Sequence, residues 1–190
     1  HPVLGTLQGG YWSNQWKPVS RDWFSSRFGF MLVGQLGPRK DPFLAIQAFQ
    51  ELKEEYPVEF EPATLSLKTS IKSFHPAMEQ VIPKLKIFYD IWPLNVLKDF
   101  YAANHVLLAP SRGEGKNLPA LEFMSTGGAV IGTNWGGMSS WMSNQYAYPL
   151  DYELKPIDGG HLNCMQARAS KDHLKELMLR TFRNRSETKR

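Results

Sequence analysis

The sequence contains a single cysteine, Cys164, which excludes an intrachain disulfide and a zinc site built on thiolates. His161 lies three positions before it, a pairing that reads as coincidence rather than as a metal site. No run approaches the roughly 18 apolar residues of a membrane span, and no signal-peptide pattern is present. The expected location is therefore the cytoplasm. A strong excess of one charge sign is also lacking. The net charge of +4 is spread without a basic stripe, which suits a phosphate-bearing ligand and gives no direct nucleic-acid-binding signature. The most basic segment, the tail "RTFRNRSETKR", reads as a solvated helix end or frayed terminus. Internal repeats and low-complexity segments are absent. The chain begins at His1 rather than Met, as a fragment, a processed product or a truncated expression product would.

What is present suits one α/β domain. Apolar residues make up 42% and charged residues 21% of 190, enough for a sizeable core under a solvated surface. Residues 1–26 are rich in Gly, Ser, Trp and Pro without a clean period and read as a lead-in or interdomain linker. Residues 27–190 read as the domain proper. "RFGFMLVGQL" predicts a buried strand entering a turn. Asp41-Pro42 then supplies an N-cap and first-turn proline for "DPFLAIQAFQELKEEY", where Leu44, Ala48, Phe49 and Leu52 recur at helical spacing.

The alternation continues along the chain. "VEFEPATLSLKTS" predicts a strand, against which Pro62 counts, and "IKSFHPAMEQVIP" a helix or irregular crossover. "LKIFYDIW" and "HVLLAP" predict strands flanking a helix opened by Pro93. "LPALEFMST" predicts a helix closed by Gly127-Gly128, and "AVIGT" another strand. "SKDHLKELMLRTF" gathers Leu174, Leu177, Met178, Thr181 and Phe182 on one helix face. Short apolar strands alternating with helices imply a Rossmann-like parallel sheet covered on both faces. Ligands of such sheets bind beyond the carboxyl ends of the strands. That directs attention to "GQLGPRKD", "YDIWP", "APSRGEGKN" and "GTNWGG".

Glu114 and Glu122 stand eight positions apart in "SRGEGKNLPALEFMSTGG". On one continuous helix they would be about 12 Å apart and about 80° out of phase, too far for a close pair. Gly113, Gly115 and Asn117 instead place Glu114 in a turn. Pro119 places Glu122 within about a turn of the next helix N-terminus. Either glutamate alone reads as a dipole complement or a solvated loop residue. Together they rim a natural anion site, which suits a ligand carrying both hydroxyls and phosphates. Arg39 and Lys40 follow another strand and are candidate phosphate cations. Gly136 and Gly137 offer close backbone approach or an ordinary turn. Tyr89, Asp90 and Trp92 end a strand, where they either pack or hold a base.

These residues resemble the signature of family-4 retaining glycosyltransferases of the GT-B fold. The match runs through Pro110, Ser111, Glu114, Gly115, Leu118, Pro119, Glu122, Gly127, Gly128, Gly136 and Gly137. Upstream, "FMLVGQLGPRKDPFLAIQAFQELK" and "LKDFYAANHVLLAPS" resemble the family's phosphate-loop unit and the approach to the glutamate motif. The resemblance covers roughly residues 28–150 in consistent order. It implies the C-terminal, donor-binding half of a two-domain enzyme, with "NQWKPV" in the interdomain linker. Glu114 would contact the transferred sugar near the reacting centre, and Glu122 the ribose hydroxyls. The donor-binding set would add Arg39, Lys40, Gly37, Gly115, Lys116, Asn117, Leu118, Gly136, Gly137 and Asp90. The donor would be a UDP-, GDP- or ADP-sugar. Arg and Lys would neutralise the leaving diphosphate, so that neither a metal nor a separate cofactor is required.

This sequence departs from the family pattern at three places. Gln35 stands where Arg is usual after the strand glycine. "MSSWM" lacks the glutamate usual after the Gly-Gly pair, and Lys116 replaces an aromatic or apolar residue. The expected activity is retaining, metal-independent transfer to an acceptor held by an N-terminal domain, with little activity in the fragment alone. An inactive nucleotide-binding module of the same fold is the alternative, and a carboxylate-pair glycosidase a more distant one.

Overall fold

The first strand, β1 (Phe28–Val33), is an apolar run because both its faces are covered. Phe28, Phe30 and Leu32 enter one core, and Met31 enters the other, as the two-residue period of a strand requires. The protein is described here from a computed structural model that covers residues 15–70, 84–157 and 164–189. After β1 come α1 (Pro42–Glu55), β2 (Ala63–Thr69), β3 (Leu85–Tyr89), α2 (Leu94–Ala102), β4 (Val106–Ala109), α3 (Leu118–Ser125) and β5 (Ala129–Thr133). The chain continues through β6 (Tyr148–Leu150), β7 (Tyr152–Pro156), β8 (Met165–Ala169), α4 (Lys171–Arg183) and α5 (Arg185–Thr188).

Six strands form one sheet in the order β3-β2-β1-β4-β5-β6, and every neighbouring pair is parallel. The direction of winding reverses between β1 and β4, where Phe30 lies opposite Val106. Their carboxyl ends therefore form the topological switch point, beyond which such sheets take ligands. On one face, α1 and α4 cover Phe30, Leu65, Leu108 and Ile131 with Phe49, Leu52, Leu174 and Met178. On the other, α2 and α3 cover Met31, Leu107 and Val130 with Tyr101, Ala120 and Phe123.

Local chemistry explains the boundaries. Pro93 caps α2, Pro119 occupies the first turn of α3, and Ser170 caps α4 by accepting the His173 N–H at 3.2 Å. The predicted buried set Leu174, Leu177, Met178, Thr181 and Phe182 is the buried face of α4. Strand β2 starts at Ala63, directly after Pro62, whose missing N–H would have interrupted the ladder.

Three features differ from the sequence reading. Asp41 precedes Pro42 as expected, but its backbone is left-handed (φ 46°) and its side chain caps nothing in α1. The tail is a largely solvated helix end rather than a frayed terminus, but it is also docked. Arg185 donates to the Ser25 carbonyl at 2.7 Å and lies over the Phe28 and Phe182 rings. The sequence reading also lacked β6 and the antiparallel hairpin β7–β8. β7 is exposed along its whole length, so burial leaves little imprint on its residues. The crossover expected over 71–83, His161 and the first 14 residues of the lead-in lie outside the described residues.

The described part of the lead-in packs against both cores, with Trp23 in the first and Trp16 in the second. Trp16 stacks on Tyr101 with ring centroids 5.0 Å apart. Arg21 is buried and donates to the carbonyls of Asn104 at 2.5 Å, Tyr101 at 3.0 Å and Thr126 at 3.3 Å. One guanidinium thereby satisfies terminal carbonyls of both α2 and α3, where a positive charge also suits the helix dipoles. Burial pushes its pKa down to about 10.

Candidate functional site

The turn after β1 begins at Gly34, whose positive φ (126°) lets the chain fold back under Lys40. A short 3-10 turn, Pro38–Lys40, follows with Gly37 at its start and carries Arg39 and Lys40 toward the loop after β4. There both cations meet Glu114. Arg39 Nη1 lies 2.6 Å and Lys40 Nζ 2.8 Å from the same carboxylate oxygen, Oε1. The Glu114 side chain is 8% exposed and that of Lys40 10%, whereas Arg39 is 57% exposed. Arg39 Nη1 also donates to the Gly113 carbonyl at 2.6 Å. Lys40 Nζ donates to Asn117 Oδ1 at 3.2 Å.

Asn117 is the N-cap residue of α3, with left-handed backbone (φ 55°) and no side-chain cap on the helix. Its amide is committed instead to Lys40 and, through Nδ2, to Met138 Sδ at 3.7 Å. The helix start thus sits beside Lys40 and is not closed by its own cap. Leu118 is exposed at that start.

Glu122 lies one turn into α3, about 6 Å along the helix axis from Leu118, and faces α2. The Tyr101 hydroxyl donates to Glu122 Oε2 at 3.3 Å. Burial raises the Glu122 pKa above the ordinary carboxylate range, and the Tyr101 hydrogen bond pulls it back in part. Burial, reinforced by the neighbouring Glu122 charge, likewise pushes the Tyr101 phenol up.

The loop after β5 closes over the glutamate loop, backbone on backbone. Gly137 N–H donates to the Glu114 carbonyl at 2.9 Å. A Cβ on Gly137 would run into the Gly115 carbonyl, so only glycine fits there. Gly136 takes positive φ (64°) against the same Glu114 carbonyl. The Lys116 carbonyl accepts the Trp141 indole N–H at 3.1 Å. The two glycines therefore set the course of the glutamate loop.

Asp90 stands apart from this cluster. It follows β3, at the sheet edge two strands from β1, and its Oδ1 accepts the Ile91 N–H at 2.7 Å. Trp92 packs edge-on against Phe88 and Phe100, with ring centroids 5.2 Å and 5.3 Å away. That is the packing alternative for this residue.

Sequence reasoning passed over two further residues. Arg112 ties three segments together. Its N–H donates to the Arg39 carbonyl at 2.8 Å, its Nε pairs with Asp41 Oδ2 at 2.8 Å, and its carbonyl accepts the Ala167 N–H of β8 at 2.9 Å. Tyr101 is fully buried and reads in sequence as an ordinary core aromatic. No local pattern points to either contact. A cavity of about 480 Å³ opens between the Arg39 loop, Gly113, Trp135 and the β7–β8 hairpin, with Ile157 and Met165 on its apolar wall. Among the described residues no group of three or more His, Cys, Asp or Glu is placed to hold a metal ion.

Parallel strands in this order, helices on both faces and a basic, carboxylate-bearing crevice at the switch point define a Rossmann-like domain of the kind that forms the C-terminal half of GT-B enzymes. The model of the family "Glycosyl transferases group 1" matches residues 27–151, and the chain belongs to that family. The C-terminal domain of the group 1 glycosyltransferase LpcC from Francisella tularensis superposes with a TM-score of 0.66 at 16% identity, covering 94% of this chain and 91% of that one. Sucrose-phosphate synthase from Thermosynechococcus elongatus gives 0.68 at 16% identity, with 93% of this chain and 43% of that chain covered. WaaG, a glycosyltransferase involved in lipopolysaccharide biosynthesis, gives 0.64 at 17%, covering 86% and 40%. The chain thus spans less than half the length of the latter two. At these identities the likeness is one of fold. No curated protein matches the chain. Among the described residues no helix is long and apolar enough to cross a membrane.

Proposed function

We propose that the chain is the donor-binding domain of a retaining glycosyltransferase that takes its sugar from a nucleoside diphosphate. The observation that carries this reading is the convergence of Arg39, Lys40 and Glu114 beside Asn117 at the start of α3, with Glu122 one turn further on. Diphosphate oxygens placed at the two cations would have the α3 N-terminus alongside. Glu122 would then accept the ribose hydroxyls and Glu114 would face the sugar.

Departure of the nucleoside diphosphate builds negative charge, and fixed cations stabilise that charge without a metal. Retention of configuration is proposed on the resemblance of the glutamate motif. Acceptor binding is proposed to lie on a second domain, so this chain alone binds donor and transfers little.

Titration with UDP-, GDP- and ADP-sugars, followed by chemical shift or melting temperature, tests the reading. One of the three should bind. Glu122→Ala should weaken the nucleoside diphosphate by roughly 10–100-fold, the worth of one or two charge-assisted hydrogen bonds. Glu114→Ala should abolish transfer by the two-domain protein. Silence toward all three nucleotides would overturn the reading.

A further inference from the structure

Arg39 and Lys40 have an occupant already. Both place their charge on one oxygen of Glu114, and the carboxylate between them is almost wholly buried. Asp41, the carboxylate that follows Lys40 in sequence, is taken by Arg112. Two neighbouring cations with no anion between them would repel each other, and Lys40 is too buried for water to screen that charge. Glu114 supplies the anion.

We propose that Glu114 is the resident counter-ion of the diphosphate site, which the donor's diphosphate must displace before the carboxylate can face the sugar. This inference rests on the donor-binding function proposed above and adds an order of events to it. A diphosphate brings more charge and more acceptor oxygens than one carboxylate, so it wins the two cations. The exchange breaks the Arg39–Glu114 and Lys40–Glu114 pairs and forms cation–phosphate pairs, with no covalent change. Glu114 is released only when a diphosphate is present. A free sugar or a nucleoside lacks the charge to release it. When the nucleoside diphosphate leaves after transfer, Glu114 recaptures both cations and so competes with rebinding of the product.

Glu114→Gln keeps the shape of the side chain and removes the competing charge. Calorimetric titration of the whole chain with inorganic pyrophosphate, with UDP, GDP and ADP, and with the matching nucleosides reads the effect. Pyrophosphate and the preferred nucleoside diphosphate should bind Glu114→Gln at least ~10-fold more tightly than the parent chain. Nucleoside affinity should be unchanged. Glu114→Asp, whose shorter arm holds the cations less well, should fall between the two and serves if the glutamine variant folds poorly. Lys40→Met should reduce the gain from Glu114→Gln, because the two residues share one contact. Equal or weaker diphosphate binding by folded Glu114→Gln would overturn the exchange. Tighter pyrophosphate binding with no nucleotide bound by either form would leave the exchange standing and remove the nucleotide-sugar reading. No binding of pyrophosphate or nucleotide by either form would remove both.

Discussion

Glu122 shows how one side chain's surroundings set its working range. Its carboxyl is held above the ordinary pKa by burial, and the Tyr101 hydroxyl donated to Oε2 opposes that shift. An acid whose folded pKa is raised favours the folded state at low pH, and that contribution is lost as pH rises through the folded value. In the proposed role ligand binding runs the other way, because an ionised carboxylate accepts ribose hydroxyl hydrogens more strongly than a neutral acid does. Nucleotide affinity should therefore fall as pH drops through the raised Glu122 pKa. Tyr101→Phe removes the opposing hydrogen bond, so the fall should begin at a higher pH, at a stability cost of about 1 kcal/mol. Affinity titrations of both forms across mildly acidic pH measure the displacement, and coincident profiles would contradict it. The placement of Glu114 in a turn and of Glu122 one turn into a helix is legible in the sequence, since glycine and proline mark the turn and helix start around them. Tyr101 is not, because a buried tyrosine on a helix reads as core.

Between elements, the site depends on loops that interlock through their backbones. The β5 loop meets the β4 loop at Gly137, where the N–H reaches the Glu114 carbonyl and no side chain has room. Gly137→Ala must push the two loops apart. We expect a loss of roughly 1–3 kcal/mol, in the range of overpacking a tight site, together with weaker nucleotide binding. Gly113→Ala is the matched control, since nothing lies within 4 Å of its added methyl. It should stay within about 0.5 kcal/mol of the parent. Urea denaturation of the two variants separates these outcomes, and equal stability would refute the interlock. The sequence marks both as loop glycines. Only the packing distinguishes the one that must be glycine.

At the scale of the whole molecule, Arg21 fastens residues before the first strand onto the second helical layer through carbonyls of α2 and α3. It also lies over the Phe123 ring, 5.0 Å from its centroid. Arg21→Met keeps much of the apolar contact and leaves those buried carbonyls without their donor. The expected cost is about 2–3 kcal/mol, or a melting temperature lower by roughly 4–12 °C; thermal unfolding measures it. An unchanged melting temperature would mean that the strut carries no load. The sequence by itself determined the order of the elements from β1 to β5, the amphipathic α4, and the helix starts marked by Pro42, Pro93 and Pro119. Apolar periodicity, proline and glycine act locally, so they can be read locally. Only the tertiary structure decided which partner each charge takes: Lys40 with Asn117 across 77 positions, Arg112 with Asp41 across 71, Arg21 with Thr126 across 105. Such pairings depend on the β3-β2-β1-β4-β5-β6 order, which brings the loops after β1 and β4 side by side, and no spacing within one segment encodes that neighbourhood.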